Sequence, residues 1–161
     1  MKMTWRTAWQ GQDVVIYRDD EEVDRVASAD IRRVVLVHRG SGESPGDLVR
    51  ALVETDADCL LFPAHTGFGG RVNFERQAFW AERNCVYWVN EARAPLPLRL
   101  RRGSWLMPFG QPGFLRLPRT DLSAAVERWP IEGPQTWEQR KWRRIENKRP
   151  FAPAADTRLR A

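Results

Sequence analysis

The sequence predicts an α+β fold: a bent antiparallel β-sheet, or half-open barrel, closed by a C-terminal helix and followed by a basic helical extension. Three observations predict it. About seven short segments rich in β-branched and aromatic residues are separated by turn residues at short intervals. Two of them, Cys59–Phe62 and Cys85–Val89, are apolar on both sides, as strands covered on both faces are. Helical start and stop signals cluster only after Arg119 and in one internal segment, Phe74–Asn84.

In chain order, Thr4–Gly11 carries Trp5 and Trp9 and ends in a Gly-Gln-Asp turn. Asp13–Arg18 reads as a strand, Asp19–Glu22 as an acidic turn, and Val23–Ala27 as the returning strand of a hairpin. Ile31–Arg39 is the clearest strand of the first half, and Gly40–Gly46 is a loop. Leu48–Thr55 fits a short helix or a strand. Val49, Val53 and Thr55 favour the strand. Pro63 ends the Cys59–Phe62 strand because proline cannot donate to a ladder. A tight glycine loop, Thr66–Gly70, leads to Asn73 as N-cap of the Phe74–Asn84 helix. Leu98–Arg102 alternates Leu with Arg like a half-exposed strand, and a further strand is expected around Phe114–Leu117. Thr120-Asp121 caps a helix whose Leu122, Ala125, Val126 and Trp129 share one face, and Pro130 stops it. After Gly133-Pro134, Thr136 and Gln139 form a capping-box pattern that opens a basic helix ended by Pro150. The chain thus divides into a domain over 1–132 and an extension over 133–161.

The strand pair, the segment ADIRRVVLV, the SPGDL loop with its strand, and LLFPAHTGFGG before an aromatic helix together resemble a family of small uncharacterised bacterial proteins with pleckstrin-homology-like folds. The resemblance covers residues 13–90, and RTDLSAAVERWP stands where the closing helix of such a fold would lie. A helix between the two late strands departs from that pattern. The resemblance implies a fold and no catalytic residues.

Composition narrows the function classes. Apolar residues make up 42% of the 161 and aromatics 11%, enough for a core and too many for a disordered chain. No apolar run approaches a membrane span, and the N-terminal residues lack the apolar core and cleavage site of a signal peptide. Two cysteines, without a CxxC pattern, suit neither a disulfide framework nor a zinc site, so a reducing cytoplasm is expected. Glu138–Ala161 holds eight Lys or Arg against three acids, which accounts for the whole formal net charge of +5. The body is neutral in total but polarised: Asp13–Asp30 carries seven acids and two arginines, whereas Ala94–Arg119 carries five arginines and no acid. Such a map bears on partners rather than on fold.

Each candidate for chemistry has a simpler structural reading. Gly67, Gly69 and Gly70, with Arg71, sit between a strand and a helix, where backbone N–H groups can cradle an anion. Yet Val72 stands where a dinucleotide fingerprint needs its third glycine, and no Lys-Ser/Thr pair follows. A tight turn and an anion contact at Arg71 are the readings left. His38 and His65 end apolar strands, and Cys59 and Cys85 fall within them, so neither makes a nucleophile–base pair with an orienting acid. Glu75 and Glu82 share a helix face, but Arg76 and Arg83 balance them. No cofactor or metal is expected.

The function expected from these residues is a non-enzymatic interaction module for an acidic or anionic protein partner. Its surface would combine Gly67, Gly69, Gly70 and Arg71 with Arg99, Arg101 and Arg102, and homo-oligomers through an uncovered strand edge are consistent with it. The alternative is a nucleic-acid-binding protein in which Arg140, Lys141, Arg143, Arg144, Lys148 and Arg149 hold phosphates and Trp142 stacks on a base. The tryptophans outside core positions, Trp5, Trp9, Trp105, Trp137 and Trp142, serve either as interface anchors or as straps that hold terminal segments to the body. Strapping is favoured, because Trp137 and Trp142 cannot share one helical stripe with Ile145. The acidic Asp13–Asp30 segment is a further candidate partner for the basic tail.

Overall fold

A computed structural model of the chain describes residues 4–42, 45–63, 83–97, 114–136 and 138–142. Within them the chain is α+β and is built as layers. The first layer is a meander of β1 (Trp5–Gln10), β2 (Asp13–Arg18) and β3 (Glu21–Ala27). Both of its turns have two residues, and the second places Asp19 and Asp20 at φ of 51° and 67°. Asp tolerates that left-handed pair, which matches the twist of the hairpin. Trp5 and Trp9 alternate on β1 and pack against the core rather than lying in a loop.

The second layer is a five-stranded sheet in the order β7-β4-β5-β6-β8, formed by β4 (Arg33–His38), β5 (Leu48–Glu54), β6 (Asp58–Pro63), β7 (Val86–Asn90) and β8 (Leu115–Pro118). Leu48–Glu54 is therefore a strand. The β4–β5, β5–β6 and β6–β8 pairs are antiparallel, whereas β7 runs parallel to β4 with Leu36 opposite Trp88. This corrects the expectation of one bent antiparallel sheet: two sheets form, neither is closed, and the larger is mixed. β7 is not the hairpin partner of β4, since β5, β6 and a long connection intervene, and parallel pairing requires such a connection.

Period-two alternation then sends each strand's side chains into two cores. On one face Val34, Leu36, Val53, Leu60, Phe62, Val86 and Trp88 pack with Val14, Ile16 and Val26 of the meander. On the other, Val35, Val37, Leu52, Leu61 and Val89 pack with Leu122, Val126 and Trp129. The last three belong to α1 (Thr120–Val126) and the turn after it. The helix lies on a sheet face instead of closing one end. Its N-cap is Arg119, itself helical and without a side-chain cap bond, rather than the Thr120-Asp121 pair. The chain leaves β8 directly into helical geometry, with Arg119 N–H bonded to the Ala57 carbonyl at 2.9 Å. The Trp129 indole N–H donates to Pro95 O at 3.2 Å and holds the turn down.

Polar groups close the layers. Arg116 on β8 donates to both oxygens of Asp24 on β3 at 2.8 and 2.9 Å and to Asp58 on β6 at 2.6 Å, joining the edges of the two sheets. Arg83 donates to the carbonyls of Ser28 at 3.0 Å and Ile31 at 2.6 Å, fixing the turn between β3 and β4 to the entry of β7. Arg33 and Glu54 form a two-bond pair across β4 and β5 at 2.8 and 3.0 Å, with the Glu54 side chain 5% exposed. Removing one member of such a pair leaves the other unpaired in a partly solvated site. Because the Arg33 left behind is 30% exposed, Glu54→Ala is expected to lower unfolding stability by about 1.5 kcal/mol, the scale of a hydrogen bond to a charged group, read from the midpoint of a urea titration. A loss under about 0.5 kcal/mol, the scale of an exposed pair, would contradict the structural role.

Candidate functional site

The sequence-predicted residues that the structure brings together lie at the free side of β7. Trp88 faces inward on that strand and is fully buried, so its indole N–H needs a partner away from water. It donates to the Gln135 carbonyl at 2.9 Å. The chain after α1 reaches that position by pairing along the outer side of β7. Trp88 and Glu132 exchange backbone bonds of 2.8 Å in both directions, and Gln135 N–H donates to Val86 O at 2.9 Å. Gly133 makes the approach, with φ of 129° and a Cβ position 3.1 Å from Val86 O that a side chain would crowd. The start of the extension is thus part of the sheet's edge.

Thr136 and Gln139 then satisfy each other in the capping box. Gln139 N–H donates to Thr136 Oγ1 at 3.2 Å, and Thr136 N–H donates to Gln139 Oε1 at 2.9 Å. The helical segment 138–142 begins there. It carries Arg140 back over the sheet. The guanidinium lies over the Trp88 ring at 4.8 Å, donates to Ser41 O at 2.9 Å and points Nη2 at His38 Nε2, 3.2 Å away. His38 is buried at the end of β4, with its ring 6.2 Å from that of Trp88 and Nδ1 3.4 Å from Arg39 O. Burial, followed by the charge of Arg140, holds the His38 pKa below the ordinary histidine value. Gly42, at φ of 72°, closes the cluster. A Cβ there would stand 2.6 Å from His38 Cγ and 2.8 Å from Arg140 Nη1.

Arg140 is therefore engaged with the body through Ser41, His38 and the Trp88 ring. Lys141 and Trp142 come next along the same segment and are both exposed, Trp142 to 58%. The other residues of the basic helix, Arg143, Arg144, Lys148 and Arg149, lie outside the described residues, as do Gly67, Gly69, Gly70 and Arg71 of the loop and Arg99, Arg101 and Arg102. Trp105, Trp137, His65, Glu75 and Glu82 fall there as well.

A second polar feature is a cleft of about 330 Å³ between the meander and the five-stranded sheet. Arg25, Arg32 and Arg116 line it together with Asp30, Asp56 and Asp58. Its guanidiniums are committed to carboxylates. Arg25 bonds to Glu22 and Asp13, Arg32 to both oxygens of Asp56 at 2.8 Å, and Arg116 to Asp24 and Asp58. An incoming anion would have to displace these partners, so the cleft reads as an ionic clasp. Four of the seven acids of Asp13–Asp30, namely Asp13, Asp20, Glu22 and Asp24, are ion-paired to Arg6, Arg25 and Arg116, while most of the basic tail lies outside the described residues.

The thiols are poor nucleophiles. Cys59 and Cys85 are both buried and unlinked. Burial, with Glu54 nearby, pushes Cys59 up to about 11, and burial raises Cys85 as well. Among the described residues no three His, Cys, Asp or Glu side chains form a metal-binding group.

Sequence reasoning missed two elements of this site. The contact of Arg140 with His38 spans 102 positions and leaves no local pattern, and the commitment of Arg116 to Asp24 spans 92. The polarised charge map was the one available signal for the second. No protein-family model, curated protein or solved structure matches the chain.

Because the reactive form of a thiol is the thiolate, labelling of Cys59 in the native protein by a disulfide reagent at pH 8 is expected to run about 100-fold slower than for a free cysteine, and Cys85 is expected to be slowed as well. Full reactivity should appear only on unfolding. Rapid labelling of one thiol in the native chain would contradict the burial described.

Proposed function

We propose that the chain is a non-enzymatic interaction module that presents its basic C-terminal segment to an acidic protein partner. One observation carries this reading: Trp142 is 58% exposed on a segment whose neighbour Arg140 is tied to the body by three contacts. Trp5 and Trp9 are partly buried against the core, and Trp88 and Trp129 are buried. An indole held outward at a fixed place beside a lysine is the kind of group that anchors interfaces, since little of its conformational entropy is left to lose. The buried, high-pKa thiols and the clasped arginines of the cleft support a role without catalysis. A pleckstrin-homology-like family resemblance, which implies no catalytic residues, belongs to the same reading, as does a contribution from Gly67–Arg71 and from Arg99, Arg101 and Arg102.

The second reading, nucleic-acid binding, rests on the same pair: an exposed indole next to a cation can stack a base while Arg143, Arg144, Lys148 and Arg149 hold phosphates. Two defined probes separate them, a fluorescent polyglutamate peptide and a fluorescent single-stranded oligonucleotide, followed by anisotropy. The proposal expects the peptide to bind more tightly than the oligonucleotide, and Trp142→Ala to weaken it at least tenfold, about 1.4 kcal/mol. Tighter oligonucleotide binding that falls steeply with salt would transfer the assignment to nucleic acid. Peptide binding that ignores Trp142→Ala would overturn the proposed interface.

A further inference from the structure

We infer that the contact between His38 and Arg140 is a proton-operated latch: protonating the His38 imidazole releases the helical segment 138–142 from the sheet while the pairing of Glu132–Gln135 with β7 stays in place. The chemistry follows from the donor inventory. A guanidinium only donates, so the Arg140 Nη2 group 3.2 Å from His38 Nε2 requires that nitrogen to be the acceptor, hence unprotonated. The proton of the neutral ring then sits on Nδ1, toward Arg39 O at 3.4 Å. A second proton on the ring can only go to Nε2. It removes the acceptor and sets a like charge against the guanidinium at the same short distance, with the imidazole buried and the guanidinium partly so.

The groups around the imidazole make the balance explicit. From the C-terminal segment Arg140 opposes the charged ring. From the segment that bridges to β7, Glu132 favours it, but that carboxylate lies on an exposed residue. On the ring's own strand end, the carbonyls of Arg39 and Gly40 favour it, while the Arg39 guanidinium pairs with Glu91 at 3.4 Å. On β5 the residue opposite is Leu48, next to Asp47, whose carbonyl takes the Arg39 N–H at 2.8 Å. On β7 the residue opposite is the neutral Asn90, which donates to Gly40 O at 3.0 Å, and Trp88 adds its ring. Burial and Arg140 outweigh the favourable groups, and the docked state keeps His38 below its ordinary value. The sign follows: the docked state binds fewer protons than the released one. Docking is at full strength above about pH 6.5, the unperturbed histidine value, and weakens as pH falls below it.

The inference makes a local prediction. Arg140 N–H is bonded to Thr136 O at 3.0 Å within the segment that would leave, whereas Gln135 N–H is bonded to Val86 O in the part that stays. It deepens the proposed interface, because Lys141 and Trp142 travel with Arg140, and it rests on that interface only for its biological use.

Hydrogen–deuterium exchange on the full chain, corrected for intrinsic rates, tests it at pH 7.5 and pH 5.0. Protection over 138–142 should be lower at pH 5.0 than at pH 7.5, the direction set by the lowered His38 pKa of the docked state, with Gln135 unchanged. His38→Gln, which offers an amide oxygen to Arg140 and does not titrate, should abolish the pH difference, and Arg140→Gln should leave the segment poorly protected at both values. Equal wild-type protection at the two pH values, or a pH difference that survives His38→Gln, overturns the latch. Should His38→Gln not fold, the imidazole titration of His38 by NMR decides: its pKa must rise in Arg140→Gln, and an unmoved pKa overturns the inference. No partner enters these readouts. If exchange responds to pH while polyglutamate binding ignores Trp142→Ala, the proposed interface fails and the latch stands.

Discussion

The burial of Trp88 constrains more of this molecule than any other single feature. It sits on the outermost strand of the larger sheet, where one side of the backbone has β4 for a partner and the other has none from within the sheet. Its ring is fully buried and carries a donor that must be satisfied. The chain solves both problems with one segment. Glu132 completes the backbone pairing, and the Gln135 carbonyl takes the indole proton. The route of the C-terminal part is thereby set. Once the chain has crossed β7, the capping box at Thr136 turns it into a helical segment that returns Arg140 to the face of the same ring.

The remaining energetics follow from a sheet covered on both faces. β4 has every residue from Val34 to Val37 inaccessible to water, two facing the meander and two facing α1. Such a strand can satisfy neither charge nor water, so the ionisable groups move to its ends and to the sheet margins. Arg33 with Glu54 marks one end, and His38 with Arg140 the other. The margins are joined by Arg116. Among the described residues, Asp13, Asp20, Glu22 and Asp24 of the meander are paired with arginines of the body, so part of the polarisation visible along the chain is met within the fold. This is why the basic charge that follows Arg140 bears on partners more than on stability.

Much of the strand content was legible in the sequence. CLLF and CVYWV were recognisable as doubly covered strands because no polar residue interrupts them, and Leu48–Glu54 was decided by its β-branched residues. The T-x-x-Q box announced its own geometry, since both of its bonds are local. What escaped was whatever depends on distant pairing. The parallel partnership of β4 and β7 has no signature in either strand, because a fully apolar strand accepts a neighbour in either direction. Trp5 and Trp9 were placed outside the core, as straps on the body, and the β1–β2 pairing that packs them against the core leaves no local pattern. The cap of α1 was misplaced by one position because Thr120-Asp121 has the right side chains, while the backbone is already helical at Arg119. Of the candidate site, the indifference of the thiols was readable, and the anchoring of Arg140 by His38 was not.

The central claim is that His38 and Arg140 act as one unit in docking the C-terminal segment. A double-mutant cycle on the folded chain, with His38→Ala, Arg140→Ala and the double variant unfolded in urea at pH 7.5, measures that coupling directly, because neither alanine keeps the contact. Contacting residues in one polar network couple by 0.5 to 3 kcal/mol, and a value of about 1 kcal/mol is expected for this partly screened pair. Strictly additive losses would show that the two side chains are neighbours without being partners, and would contradict the account.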